Sequence, residues 1–365
     1  MKKRYIILIS FILMLLFGTF IPYTKPVLPF VQLPGEFYPG SYNWPVVGQL
    51  FGGLTNTFVA TVLAWIIVVL IGLSLKARSR TADEVPTGFY NFFEMVVEAA
   101  YNFAEGIAGP KVKYFFMYFM TFILFILVAN WMELVPGVDS IGIFEDLAHK
   151  KAVEATHAWE EAQLEQGNHP TEEEIHHFEE EQYEYYHSLR IGDIRDGVVL
   201  TRAYEDENGE KPEDAQYTIV PFLRAAATDL NFTLALALVA MFMVQYYGFK
   251  FLGFSYLHKF FPFLEKGFGA KAAKNPIKVI DIPVGILELV SEFSKIISFA
   301  FRLLGNIFAG QILLFVMAYL ISVANIAFFG LEFFVGLIQA AVFAMLAIIF
   351  MTQASESHHG DDEHH

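Results

Sequence analysis

Six stretches of this chain run for roughly 20 uncharged residues or more, the length that crosses a hydrocarbon core. They are Tyr5–Thr24, Phe37–Leu75, Tyr114–Met132, Leu230–Phe249, Leu303–Leu331 and Phe333–Ser355. In the second stretch the helix is expected near Leu54–Leu75. A seventh stretch, Ile282–Phe301, is apolar but interrupted by Glu288, Glu292 and Lys295. It continues without a break through Arg302, so one long helix is expected there. A turn near Ser322–Gly330 would then return the chain as an antiparallel last helix. Thr87–Gly109 has a different pattern. Phe89, Phe92, Phe93, Val96 and Val97 alternate with Glu94, Glu98 and Glu105, as in a helix lying on the membrane surface. A loop helix packed on the bundle is the plainer reading. The predicted class is an all-α integral membrane protein with about five spanning helices plus an N-terminal helix.

That N-terminal run opens Met1-Lys2-Lys3-Arg4 before turning apolar, the pattern of a signal peptide. An uncleaved anchor is the alternative. Composition agrees with a membrane chain: 55% of the 365 residues are hydrophobic and 17% charged, against about 25% charged in soluble domains. There is no cysteine, which excludes disulfides, cysteine-ligated metal centres and a thiol nucleophile. The net charge of −15 argues against a nucleic-acid partner.

The acidity is concentrated. Gly137 to Tyr217 holds 22 Asp/Glu against 6 Lys/Arg, a net of −16, so the rest of the chain is at +1. The expected organisation is a signal or anchor helix over 1–24, an external segment over 25–53, and first spanning helices with the amphipathic helix over 54–136. An acidic insertion follows over 137–217, then channel helices over 218–355 and a His/acid tail over 356–365. Within the insertion, Ala148–Gln166 and Thr171–Arg190 suggest a helical hairpin. Six of the 11 histidines lie there: His149, His157, His169, His176, His177 and His187. Imidazole is a common metal ligand, but no fixed motif such as H-E-x-x-H occurs, and a solvated acidic surface is the reading. No metal or other cofactor is expected.

Lys and Arg in short loops set orientation. Lys76–Lys113 carries five and Lys250–Lys278 carries six, whereas Lys25–Gly53 carries only Lys25. The first two loops are expected in the cytoplasm. The insertion then falls outside and the C-terminus inside.

Ionisable residues in a spanning helix are costly and mark function by default. Glu288, Ser291, Glu292, Lys295, Ser298, Arg302 and Asn306 recur at spacings of three and four, which places them on one helical face. Arginine does not give up its proton, so Arg302 is a fixed positive charge and a poor proton carrier. Its counter-charge is expected from a partner subunit. Glu332 and Gln339 are seven apart on the last helix, and Gln311 lies at a depth comparable with them. A watery path lined by Glu332, Gln311, Asn306 and Gln339 is the functional reading. Helix–helix hydrogen bonds are the plain one. Asn130 and Glu133 near one helix end, and Asp229 and Asn231 at the start of another, are further candidates beside simple capping.

Phe301-Arg302-Leu303-Leu304-Gly305-Asn306-Ile307-Phe308-Ala309-Gly310-Gln311 resembles the signature segment of subunit a of the F-type ATP synthases. So does Glu288-Leu289-Val290-Ser291-Glu292-Phe293-Ser294-Lys295 before it. Thr228–Thr233, Asn130–Pro136, Gln339 and the ending Met351–Glu356 are similar to further family segments. The resemblance covers roughly Asn56–Glu356 apart from the insertion. It implies a stator subunit in the bacterial inner (plasma) membrane, beside a ring of c subunits and held by peripheral-stalk b subunits, with the F1 sector an indirect partner. The long hairpin would pack on the ring. Protons would pass through two offset half-channels, with Arg302 as the essential charge. Gln311 stands where many members have Glu, and Glu332 where those members have His, an exchange of charge across the hairpin. The chain would not be an enzyme on its own. A secondary ion-coupled transporter is the alternative, but it predicts internal repeats, and none is visible.

Overall fold

The computed structural model describes residues 35–38, 41, 53–78, 89–139, 141–188, 217–264, 279–320 and 325–356. The expected N-terminal helix and the histidine tail lie outside these residues. Helices dominate. They are α1 (Asn56–Arg78), α2 (Phe89–Ala108), α3 (Val112–Met132), α4 (Leu147–Glu165), α5 (Glu172–Ser188), α6 (Leu230–Leu252), α7 (Asp281–Leu320) and α8 (Asn325–Ala354). Among the described residues, five helical spans are long and apolar enough to cross a membrane: Asn56–Ala77, Tyr90–Met132, Leu230–Lys259, Asp281–Ala318 and Asn325–Ala354. The chain is thus an all-α multi-pass membrane protein.

The 40-residue α7 is one uninterrupted helix, as its unbroken apolar pattern predicts. The last helix differs from expectation at its start. Asn325–Gly330, read from sequence as part of the turn, is already helical. One helical glycine costs about 1 kcal/mol relative to alanine, too little for Gly330 to stop a run this apolar.

The described residues form two compact units, which interleave along the chain. One unit draws on Ala60–Met132, Ala226–Ala309 and Phe333–His365. Its core joins α2, α3, α6, α7 and α8 through Phe115, Phe119, Ile126, Val244, Leu303, Ile307, Phe343 and Ile348. Phe343 stands edge-on to Phe122 at 5.5 Å and to Phe299 at 4.7 Å. A smaller cluster sets Ala60 and Ala64 of α1 against Ala129, Met132 and Ala226. Alanines let backbones approach where lipid supplies no hydrophobic drive. The opposite face of α1 leaves Phe58, Trp65, Leu70 and Leu73 exposed, as lipid contact requires.

The other unit draws on Met1–Val59, Glu133–Ala225 and Gly310–Glu332. It contains the strands β1 (Pro136–Asp139), β2 (Gly142–Asp146) and β3 (Tyr217–Pro221). Strands β2 and β3 pair antiparallel from Gly142↔Pro221 to Asp146↔Tyr217. They were not anticipated from sequence: five residues are too few to show a period of two. The pairing closes the base of the acidic insertion. Above it α4 and α5 form the expected hairpin, with Trp159 stacked on Phe178 at 4.7 Å. Asp146 caps α4 by accepting from the Ala148 N–H at 2.9 Å. Thr171 and Glu174 form a reciprocal capping box before α5.

Candidate functional site

Two groups of polar residues stand out, one in each unit. In the unit containing Glu133–Ala225, Glu133, Asp139, Arg224, Gln311 and Glu332 are all buried. Asp139 ends β1 with φ +60, a left-handed conformation that Asp tolerates better than most residues. Its Oδ1 accepts from the Ala225 N–H at 3.3 Å, which ties it to the segment bearing Arg224. Burial pushes the Asp139 carboxyl up to about 7, and Glu36 adds to the rise. Arg224, the Ala225 N–H and a hydrogen bond from Gln311 oppose it. Glu133 is raised well above the usual carboxylate range, first by burial and then by the charges of Asp139 and Glu332, against Arg224. Glu332 packs so closely on Gly310 that a side chain there would overlap its carboxylate. The carboxylate of the last helix therefore lies against α7 at the position just before Gln311.

Both carboxylate oxygens of Glu133, Oδ2 of Asp139, Oε1 of Gln311 and Oε1 of Glu332 are buried without a protein hydrogen-bond partner. Buried polar atoms in folded proteins are nearly always satisfied by protein or water. Here several such acceptors, most of them on carboxyl groups, belong to one unit. A further buried carboxylate, Glu36, lies in the same unit. Glu36 accepts from Asn56 Nδ2 at 3.2 Å, and its backbone N–H donates to Asn56 Oδ1 at 3.1 Å. Lys150, on the insertion, lies 3.7 Å from Glu36.

The other unit holds the arginine. Arg302 lies on an exposed stripe of α7 with Ser298, Gly305 and Ala309. Its Nη2 donates to Ser298 Oγ at 3.3 Å, and its guanidinium carbon lies 6.0 Å from the Phe299 ring centre. Among the described residues it has no carboxylate within ion-pair distance. Asn306 Nδ2 donates to Gln339 Oε1 at 3.4 Å, and Asn130 Nδ2 to the Gly336 carbonyl at 3.3 Å. Asn130 Oδ1 and Gln339 Nε2 remain buried without a protein hydrogen-bond partner.

The polar stripe of α7 ends in an ion network. Lys259 Nζ lies 2.7 Å from Glu288 and 3.0 Å from Glu292, and Lys295 lies 2.8 Å from Glu292. Ser291 is half-buried on the same stripe. Asp229 is buried at the start of α6. It caps α6, accepting from the Asn231 N–H at 2.8 Å, while Asn231 itself is exposed. An acidic residue just before an apolar run is the ordinary sign of a helix start. Sequence reasoning missed Asp139, Glu36 and Lys259. No group of three or more His, Asp or Glu among the described residues is placed to hold a metal ion.

A family model described as ATP synthase A chain matches residues 58–352. The chain belongs to this family. Curated relatives carry the name ATP synthase subunit a. The chain is 26% identical to that of Mycobacterium bovis over 319 residues, covering 85% of this chain and 90% of the relative. It is 25% identical to that of Mycobacterium ulcerans over the same length and shares. It is 32% identical to that of Desulforamulus reducens over 154 residues, 39% of this chain and 52% of the relative. As an ATP synthase A chain, the protein is a membrane-sector component of the synthase and not a catalytic enzyme by itself.

Proposed function

We propose that this chain is the stator side of a proton-driven rotary motor, with Arg302 facing the carboxylates of a c-ring. The observation that carries this is the guanidinium itself: charged, exposed on a spanning helix and without a carboxylate partner among the described residues. A charge in that position costs several kcal/mol against lipid. A carboxylate brought past by a neighbouring subunit removes that cost. The small side chains of Ser298, Gly305 and Ala309 beside it leave room for a close approach.

The inlet is the group around Glu133, Asp139, Gln311 and Glu332. It receives protons from the outer side and passes them to a ring carboxylate, which releases Arg302 as it is neutralised. The protonated carboxyl then moves into lipid with the turning ring. On its return it loses the proton to an outlet lined by Glu288 and Ser291, and its restored charge pairs again with Arg302. The positive charge also bars a direct leak, because a proton or cation meets it before the second path. Glu288 and Arg302 are 14 residues apart on α7, about 21 Å of helical rise, so outlet and arginine occupy different depths. In this reading the Lys-rich loop 250–278 is cytoplasmic, the acidic insertion external and the membrane the bacterial plasma membrane. Peripheral-stalk b subunits hold the chain against rotation.

Arg302→Ala tests the proposal. Inverted vesicles carrying the whole complex should assemble it but show no ATP-driven acidification, and Arg302→Lys should fail or nearly fail, since a desolvated lysine gives up its proton. Normal pumping by the alanine variant would remove Arg302 from the mechanism.

A further inference from the structure

The sequence places Glu288 and Glu292 together on one polar face of α7, but the structure treats them differently. Glu292 is saturated. Its Oε1 receives Lys259 at 3.0 Å and Lys295 at 2.8 Å, and its Oε2 receives the Gln245 amide at 3.0 Å. Gln245 is itself oriented by the Tyr256 hydroxyl at 2.7 Å. The Glu292 side chain is 9% exposed and that of Glu288 34%. Glu288 borders a cavity of about 340 Å³ lined also by Lys259, Lys295, Gln353 and Glu356.

Lys259 comes from the short 3₁₀ segment Gly253–Lys259, outside every motif that marks the family resemblance. The same segment is seated on α7 at a second point. The Phe260 carbonyl lies against Gly285 so closely that a side chain at 285 would overlap it. The ammonium of Lys259 therefore stands, 13% exposed, between the two carboxylates at the cavity edge.

We propose that Lys259 and Glu292 form a charge clamp that sets the pH at which protons are taken up through the Glu288 vestibule. This rests on the reading of α7 as the outlet helix. Four charges define the clamp: Glu288, Glu292 and Lys295 from α7, and Lys259 from the loop. They sum to zero. Gln245 of α6 and Tyr256 contribute neutral hydrogen bonds, and Glu356 after α8 adds one negative charge at the cavity rim. Glu292 carries no proton in transport; it is a counter-ion that fixes both lysines. Lys259 is a positioning residue acting through Glu288. Removing its charge takes the four-charge clamp from 0 to −1, more attractive to a proton. Removing the charge of Glu292 leaves it at +1, which repels one.

The test is ATP-driven pumping by the whole complex in inverted vesicles as the outside pH is raised. Protons then enter through this vestibule. An opposite charge at this range shifts a carboxyl by about one to three units, so Lys259→Gln should move the pH midpoint of pumping up by about one unit. Glu292→Gln should move it down, Lys259→Arg should keep it, and the double Lys259→Gln, Glu292→Gln variant should restore it. Should Lys259 prove necessary for assembly, Lys295→Gln carries the same test and moves the midpoint up. Wild-type vesicles that pump no protons would count against the transport reading itself. Wild-type pumping with midpoints that stay fixed, or that move the same way in both neutralised variants, would overturn the clamp alone.

Discussion

Asp139→Asn separates a proton-carrying inlet from a merely structural polar cluster. Asparagine keeps the size of the side chain and binds no proton. The wild-type carboxyl is raised from 3.8 to about 7, chiefly by burial. That difference of about 3 units corresponds to about 4 kcal/mol against the ionised form. At pH 7 a free aspartate is protonated less than about once in a thousand, whereas burial shifts Asp139 strongly toward the protonated form. The group can therefore both accept and release a proton near neutrality. The sign for stability follows from the same shift. Between about pH 4 and 7 the folded chain keeps a proton that the unfolded chain has lost, so this site's contribution falls as pH rises through that window.

The assay is ATP synthesis by the whole complex in proteoliposomes, with the inlet facing the lumen. Lumenal pH is varied, and a potassium diffusion potential keeps the total driving force constant. The wild-type rate should fall as lumenal pH rises through about 7. Asp139→Asn should lower the rate by about tenfold or more and lose that limb of the profile, while Asp139→Glu keeps it. Arg224→Gln removes a cation that lowers Asp139, so the midpoint should move up. An assembled Asn variant with the wild-type rate and profile would refute the role of Asp139 in the inlet.

Two further outcomes are expected. Glu332→Gln should slow pumping, and adding Gln311→Glu should partly restore it, because both positions adjoin the same space at Gly310; a double variant no better than the single one would show that they do not share a path. Replacing residues 147–216 by a short Gly/Ser linker should leave a complex that assembles and pumps at high ionic strength, with any loss confined to low salt, where the insertion's negative charge acts beyond about 10 Å; failure to assemble would make the insertion a docking surface.

The spanning helices and α7 were legible because lipid imposes long uncharged runs, against which every intramembrane charge is conspicuous. Arg302, Glu288 and Glu332 were read on that ground. Asp139 was not, since it is one of 22 acids in the insertion and nothing local marks it as buried. Its partners Ala225 and Arg224 lie some 86 residues away. The same holds for Lys259. It is one of six cations in a loop, and only folding sets it between Glu288 and Glu292. For Asp229 a capping acid and a channel acid look alike in sequence, and the structure adds the cap through the Asn231 N–H.

The contact between Gly310 and Glu332 ties the two positions together. A side chain at 310 would meet the Glu332 carboxylate, the far end of a flexible side chain, and would displace it rather than exclude it. The residue at 310 therefore sets where the acid of the last helix comes to rest, although it carries no charge of its own.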